Sequence, residues 1–225
     1  MIYLFLLAHL AADFVFQPYW LVVRKQRWDG LLIHGGIVLA CMLMLPLADR
    51  ATLALWPAML GITAVHIVAD WWKVRCGDRI PGPPIVPFML DQAIHVATLS
   101  AALALALPAE QVWAPAASPI APAAIWAATY VIAACATPIA VMIWLDPSFQ
   151  HAALGGRARI RSLLTGAGGI SLALLGGPLA LPAALFGLVV VARRPRSAHP
   201  LDTHVGFLTV LCVASALGAA LAIVH

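Results

Sequence analysis

Ala8-His9-Leu10-Ala11-Ala12-Asp13-Phe14 returns, 57 residues later, as Val65-His66-Ile67-Val68-Ala69-Asp70-Trp71. In both copies a histidine and an aspartate four positions apart are set in apolar sequence. Both copies lie within apolar runs of the length that spans a bilayer, roughly 17–25 residues. A companion histidine follows each: Ile33-His34 after the first and Ile94-His95 after the second, the latter with Asp91 four residues upstream. Ionisable groups inside hydrocarbon are costly, by roughly 2.5–3.5 kcal/mol each on insertion scales. Seven of them in two similar arrangements point to a chemical purpose.

The rest of the composition agrees with a membrane setting. The chain is 63% hydrophobic and 10% charged, with a mean hydropathy of +0.97; a soluble domain carries about 25% charged residues. The N-terminal run does not read as a cleaved signal, because it lacks a basic leader and a small-residue cleavage site and contains His9 and Asp13. The expected fold is an all-α integral membrane protein, a polytopic bundle of seven to eight transmembrane helices. The net charge of +4 is no nucleic-acid signature, since the basic residues sort by loop rather than onto one soluble face. Arg24, Lys25 and Arg27; Lys73, Arg75 and Arg79; Arg157, Arg159 and Arg161; and Arg193, Arg194 and Arg196 form four groups. The positive-inside rule puts all four in the cytoplasm and the N-terminus outside. Cys41, Cys76, Cys135 and Cys212 form no close pair, which argues against a disulfide framework and against a C-x-x-C metal site.

Hydrophobic runs predict helices over 2–22, 29–47, 53–73, 86–107, 121–145 and 204–224. Pro18 disfavours helix at Gln17 and removes a donor, so the first regular stretch is expected to stop near Phe16. Residues 160–192 carry arginines at both ends. A hairpin hinged at Gly176–Pro178 returns the chain to the cytoplasmic side and gives eight helices; a single long helix gives seven. Composition divides the chain near residue 108. Residues 1–107 form a four-helix core that bears the His/Asp groups, and residues 108–225 are Ala-, Leu-, Gly- and Pro-rich and read as packing. Gly166, Gly168 and Gly169 are suited to close helix approach.

Residues four apart on a helix share a face. His9 and Asp13, His66 and Asp70, and Asp91 and His95 are therefore three aligned pairs. With the predicted topology all of them, and His34, fall at compatible depth in the cytoplasmic half. The first and third helices run in the same direction, as do the second and fourth, so the pattern implies a parallel two-helix internal repeat in the N-terminal half. It would bring His9, Asp13 and His34 opposite His66, Asp70 and His95.

Four imidazoles and three carboxylates suit a divalent transition metal: zinc first, with manganese or iron as alternatives. His9, Asp13, His34, His66, Asp70, Asp91 and His95 are the candidate ligands or their hydrogen-bonding partners. Either two ions are bound, or some aspartates orient histidines. His34 and Asp91 are the candidates for catalytic proton handling. Hydrolysis of a phosphate or ester bond in a lipid or lipid-linked substrate is the leading expectation. Proton or cation translocation through the same groups is the rival, and a structural subunit of a larger membrane complex is the third reading. Gln17 and Gln92 adjoin the pattern. Lys73 and Arg75 suit either an anionic headgroup or the positive-inside rule. Asp146, His151, Asp202 and His204 read as loop or cap residues near helix ends, and Trp71, Trp72 and Trp144 as interfacial belts. No G-x-S-x-G, P-loop or dinucleotide fingerprint competes.

The run from His9 to Gln17, the basic residues after it, His34, His66-Ile67-Val68-Ala69-Asp70, Lys73 and Asp91-Gln92-Ala93-Ile94-His95 resembles a bacterial integral-membrane family, domain of unknown function 3307. The resemblance covers residues 1–107 and implies a bacterial cytoplasmic-membrane protein. It supports which residues matter and brings no activity. A looser likeness is to membrane-bound metal-dependent hydrolases, whose His/Asp-rich segments are not closely matched; no residue roles follow from it.

Overall fold

A computed structural model describes residues 1–115, 118–146, 156–176, 187, 189 and 199–224. Every regular element among them is helical. Helix α1 (Ile2–Leu10) runs into a π-helical turn, Ala11–Val15, and α2 (Tyr19–Arg24) follows. Then come α3 (Trp28–Leu43), α4 (Leu45–Ala48), α5 (Trp56–Cys76), α6 (Ile85–Ala106) and α7 (Ala109–Trp113). The chain continues through α8 (Ala121–Val131), a second π turn at Ile132–Ala136, α9 (Thr137–Leu145), α10 (Gly156–Gly176) and α11 (His204–Val224).

Among the described residues, five helical stretches are long and apolar enough to cross a membrane: Trp28–Ala48, Arg50–Arg79, Ile85–Ala106, Ala121–Leu145 and His204–Ile223. Ile2–Val15 is apolar but shorter. The 2–22 run is divided after Val15, as expected from Pro18. Pro18 lacks an N–H and takes an extended ψ of 157°, and Phe16 closes the π turn by donating to the Ala11 carbonyl at 2.9 Å. The Gly176–Pro178 hinge reaches beyond the described residues, as does nearly all of the second arm of the proposed hairpin.

The chain separates into two compact units, Met1–Ala128 and Thr129–His225. In the first, α1, α3, α5 and α6 form a ring in which each helix packs on the next and α6 returns to α1. Burial is inverted relative to a soluble bundle. Leu32, Val65 and Val68 are 60%, 46% and 61% exposed, while His34, His66 and Asp70 face inward at 1–3%. An apolar exterior around a polar interior is the arrangement a lipid surround favours. One half of the ring is filled by Leu4, Phe5, Val38, Met42, Met59, Ile62, Leu99 and Leu103, a dry apolar layer. At that end the N-terminal ammonium donates to the Gln111 and Val112 carbonyls, and Ser118 donates to Asp49 at 2.5 Å. The other end carries the basic groups around Lys25 and Lys73, where Trp28 stacks on Trp71 with centroids 6.0 Å apart.

In the second unit α10 packs along α11. A Cβ at Gly166 would lie 2.4 Å from the Ala133 carbonyl, and one at Gly169 3.0 Å from Ala214, so both glycines permit close approach as expected. Asp202 is buried and accepts two hydrogen bonds from the Arg161 guanidinium.

Candidate metal centre

Helix direction decides where the polar groups meet. His34 lies two turns into α3 from the basic end, and Asp91 and His95 lie in the second and third turns of α6. His66 and Asp70 lie near the matching end of α5, and His9 and Asp13 close the first apolar helix. All seven side chains converge inside the ring, each 9% exposed or less. Asp13 sits on the π turn. A π turn carries one extra residue per turn and is often found at functional sites. The π turn re-aims the carboxylate, leaving Asp13 Oδ1 3.9 Å from His9 Nδ1 but 3.2 Å from His34 Nε2.

Four atoms from three segments, the first apolar helix, α3 and α5, form a compact set. His34 Nε2 lies 3.0 Å from His66 Nε2. Asp13 Oδ1 lies 3.2 Å from the first and 3.6 Å from the second. Asp70 Oδ2 lies 3.5 Å from each. A tetrahedral ion with nitrogen and oxygen ligands at about 2.0–2.2 Å has ligand–ligand edges of about 3.3–3.6 Å. These five edges run from 3.0 to 3.6 Å. The donor chemistry and these distances suit a divalent ion: His34, His66 and Asp70 form one group able to hold it, and His9, Asp13 and His66 another.

A second set adjoins it. His95 Nε2 lies 3.3 Å from Asp91 Oδ1 and 4.0 Å from Asp70 Oδ1, and these three residues form another group able to hold an ion. The His66 and His95 rings stack at 4.0 Å, and His9 lies 5.1 Å from His95 centroid to centroid. Buried polar atoms normally find hydrogen-bond partners. Here His9 Nε2, Asp13 Oδ1, His34 Nδ1, Asp91 Oδ1 and His95 Nε2 have none. His95 Nε2 and Asp91 Oδ1 are close yet not aimed at each other, as donors to a shared third atom would be.

Two ammonium groups offset the carboxylates. Lys25, 7% exposed, reaches Asp70 Oδ2 at 2.8 Å. Lys73 reaches Asp91 Oδ2 at 2.7 Å, with Gln92 on the same oxygen at 3.2 Å, and its ammonium sits 5.3 Å from the Phe88 ring centroid. Lys25 is the buried charged residue at this centre that pattern reading assigns only to a loop. Its entry depends on the Pro18 break, which folds α2 back, and on Gly30, where a Cβ would lie 2.2 Å from the Arg24 carbonyl. A second unread signal is Gly35, where a Cβ would meet Ile67 at 2.5 Å; its absence lets α3 approach α5 closely enough for His34 to meet His66. Among the weaker candidates, Asp202 is engaged by Arg161, His204 is exposed, and His151 lies outside the described residues.

Residues 1–121 match the family described as Protein of unknown function (DUF3307), and the chain belongs to that family. The match contains all seven His/Asp residues, Lys25 and Lys73. No curated protein and no solved structure matches the chain.

Proposed function

We propose that this protein is a membrane-embedded metal-dependent hydrolase, with a zinc-class ion held by Asp13, His34, His66 and Asp70. The observation that carries the reading is the five donor–donor distances of 3.0–3.6 Å among four atoms drawn from the first apolar helix, α3 and α5. His34 acts as a ligand on this reading rather than as a free proton carrier, and Asp91 with His95 forms the flank where water and substrate meet the centre. A divalent ion with an open position on that flank would supply Lewis acidity toward a phosphoryl or acyl group. Lys25 and Lys73 give the flank a positive field suited to an anionic phosphate group. A lipid or lipid-linked substrate follows from the depth of the site and its apolar walls. The equivalence of the two His-x-x-x-Asp copies in opposed positions of the ring supports the two-helix repeat as the origin of the donor set.

The rival, cation or proton translocation, needs a path through the ring. The layer from Phe5 to Leu103 fills the half beyond the site with apolar side chains, which favours a site approached from one end. Elemental analysis of the purified full chain in mild detergent tests the metal directly. At least one zinc, manganese or iron per chain is expected, lost in Asp13→Asn/Asp70→Asn. Phosphate release from lipid phosphates, abolished by chelation and restored by the metal, tests the activity. A metal-free protein that moves protons or sodium across liposomes would overturn the reading in favour of transport.

A further inference from the structure

We infer that the centre is binuclear: a second divalent cation is held by Asp70, Asp91 and His95, with Asp70 bridging the two positions. The inference rests on the metal reading above and specifies what the Asp91–His95 flank does. Its first support is the division of labour within the Asp70 carboxylate. Oδ2 belongs to the tetrahedral set, 3.5 Å from His34 and from His66, whereas Oδ1 faces the other way, 4.0 Å from His95 Nε2. A carboxylate whose oxygens serve different neighbours is the usual bridge between paired ions, which stand about 3.5–4 Å apart in two-metal hydrolases.

The second support is independent. Asp91 and His95 are each 2% exposed, and Asp91 Oδ1 and His95 Nε2 have no hydrogen-bond partner although they lie 3.3 Å apart. Lys73 and Gln92 both bond Asp91 Oδ2, which fixes the carboxylate and leaves Oδ1 as the free donor. A purely structural ion pair would align the imidazole with that oxygen. Two buried donors aimed past each other are placed for an ion instead.

The two positions differ in kind. The first has four protein donors, the number that closes a structural zinc site; the second has three, the number that leaves a position open for water or substrate. Lys73 stands beside the open position, and its side chain is 31% exposed, where those of Asp91 and His95 are 2%. The substrate class this favours is a phosphate ester, whose anionic oxygens suit an open metal position beside an ammonium.

The full chain in detergent, stripped of metal and reloaded with manganese, provides the test. Elemental analysis is expected to give two ions per chain, falling to one in His95→Gln and in Asp91→Asn. Electron paramagnetic resonance of the loaded wild type is expected to show an exchange-coupled multiline spectrum, replaced in His95→Gln by the six-line spectrum of an isolated ion. The wild-type spectrum needs no variant to fold. One ion in the wild type, unaffected by His95→Gln, overturns the second position and leaves the first intact, with Asp91 then free to accept protons. Two uncoupled ions, or two ions retained in both variants, overturn the bridge. No bound ion overturns both readings together.

Discussion

A carboxylate inside a helical membrane bundle requires a proton, a cation or a metal beside it, and the three aspartates here meet that need differently. Asp91 pairs with Lys73 and Asp70 with Lys25, while the ion-pair partners of Asp13 within 4 Å are, among the described residues, all imidazoles. Lys25 thus has two opposite effects. It stabilises the fold by neutralising Asp70, and it repels a divalent ion at the same oxygen. Replacing it by Met, similar in length and uncharged, removes both. Breaking a buried pair this way costs about 3–5 kcal/mol, so metal-free Lys25→Met is expected to melt well below the wild type in detergent. Added zinc is expected to raise its melting temperature by more than it raises that of the wild type, because a ligand that binds only the folded state stabilises in proportion to its affinity. Equal zinc-induced rises would place Lys25 outside the metal's field. The seven His/Asp residues were legible because an ionisable group in an apolar run is conspicuous by itself. Lys25 was not: Arg24-Lys25-Gln26-Arg27 reads as one cytoplasmic basic loop, and nothing local separates the residue that turns inward from its neighbours.

At the scale of elements, the centre depends on how closely α3 approaches its neighbours. Adjacent glycines give a controlled experiment. At Gly35 a Cβ would lie 2.5 Å from Ile67, whereas at Gly36 nothing lies within 4 Å. Gly35→Leu, whose bulk exceeds what a shift of the Ile67 side chain can absorb, is expected to push α3 away from α5 and widen the 3.0 Å contact between His34 and His66. Overpacking of this kind costs about 1–3 kcal/mol. The expected outcome is loss of at least one bound ion per chain and a lower melting temperature, with Gly36→Leu close to wild type in both. Metal retention in Gly35→Leu would show that the donors do not depend on the close crossing. Gly30→Ala tests the other contact of α3. Its Cβ would strike the backbone at Arg24, so it is expected to displace Lys25 and reproduce the zinc response of Lys25→Met. Sequence periodicity placed the helices of the ring well, because apolar runs and Pro18 act locally. It placed the π turn at Ala11–Val15 nowhere, because Ala-Ala-Asp-Phe-Val is ordinary helical sequence with no local signal for an extra residue.

At the scale of the whole molecule, the polar centre occupies one half of the ring and the apolar layer the other, so the side of the membrane that each half faces determines where a substrate comes from. Lys25, Lys73, Arg75 and Arg79 stand at the polar end, and we propose from the positive-inside rule that this end faces the cytoplasm. The expected count of seven to eight spans compares with five long apolar helices in the described residues, plus the short Ile2–Val15. At the N-terminus the first apolar helix ends at Val15, where Pro18 is expected to stop it, and the spans expected over 160–192 lie partly outside the described residues. Orientation can be tested with the cysteines present. Cys76 ends α5 at the basic end, so a chain in which Cys41, Cys135 and Cys212 are replaced by Ala carries a single thiol beside the site's approach. A membrane-impermeant maleimide is expected to label it only after cells are permeabilised. Leu47→Cys, at a position 80% exposed on the opposite end, is expected in a cysteine-free background to react in intact cells. The reverse pattern would put the centre on the external face, and a hydrolase built on it would then have to draw its substrate from the outer leaflet.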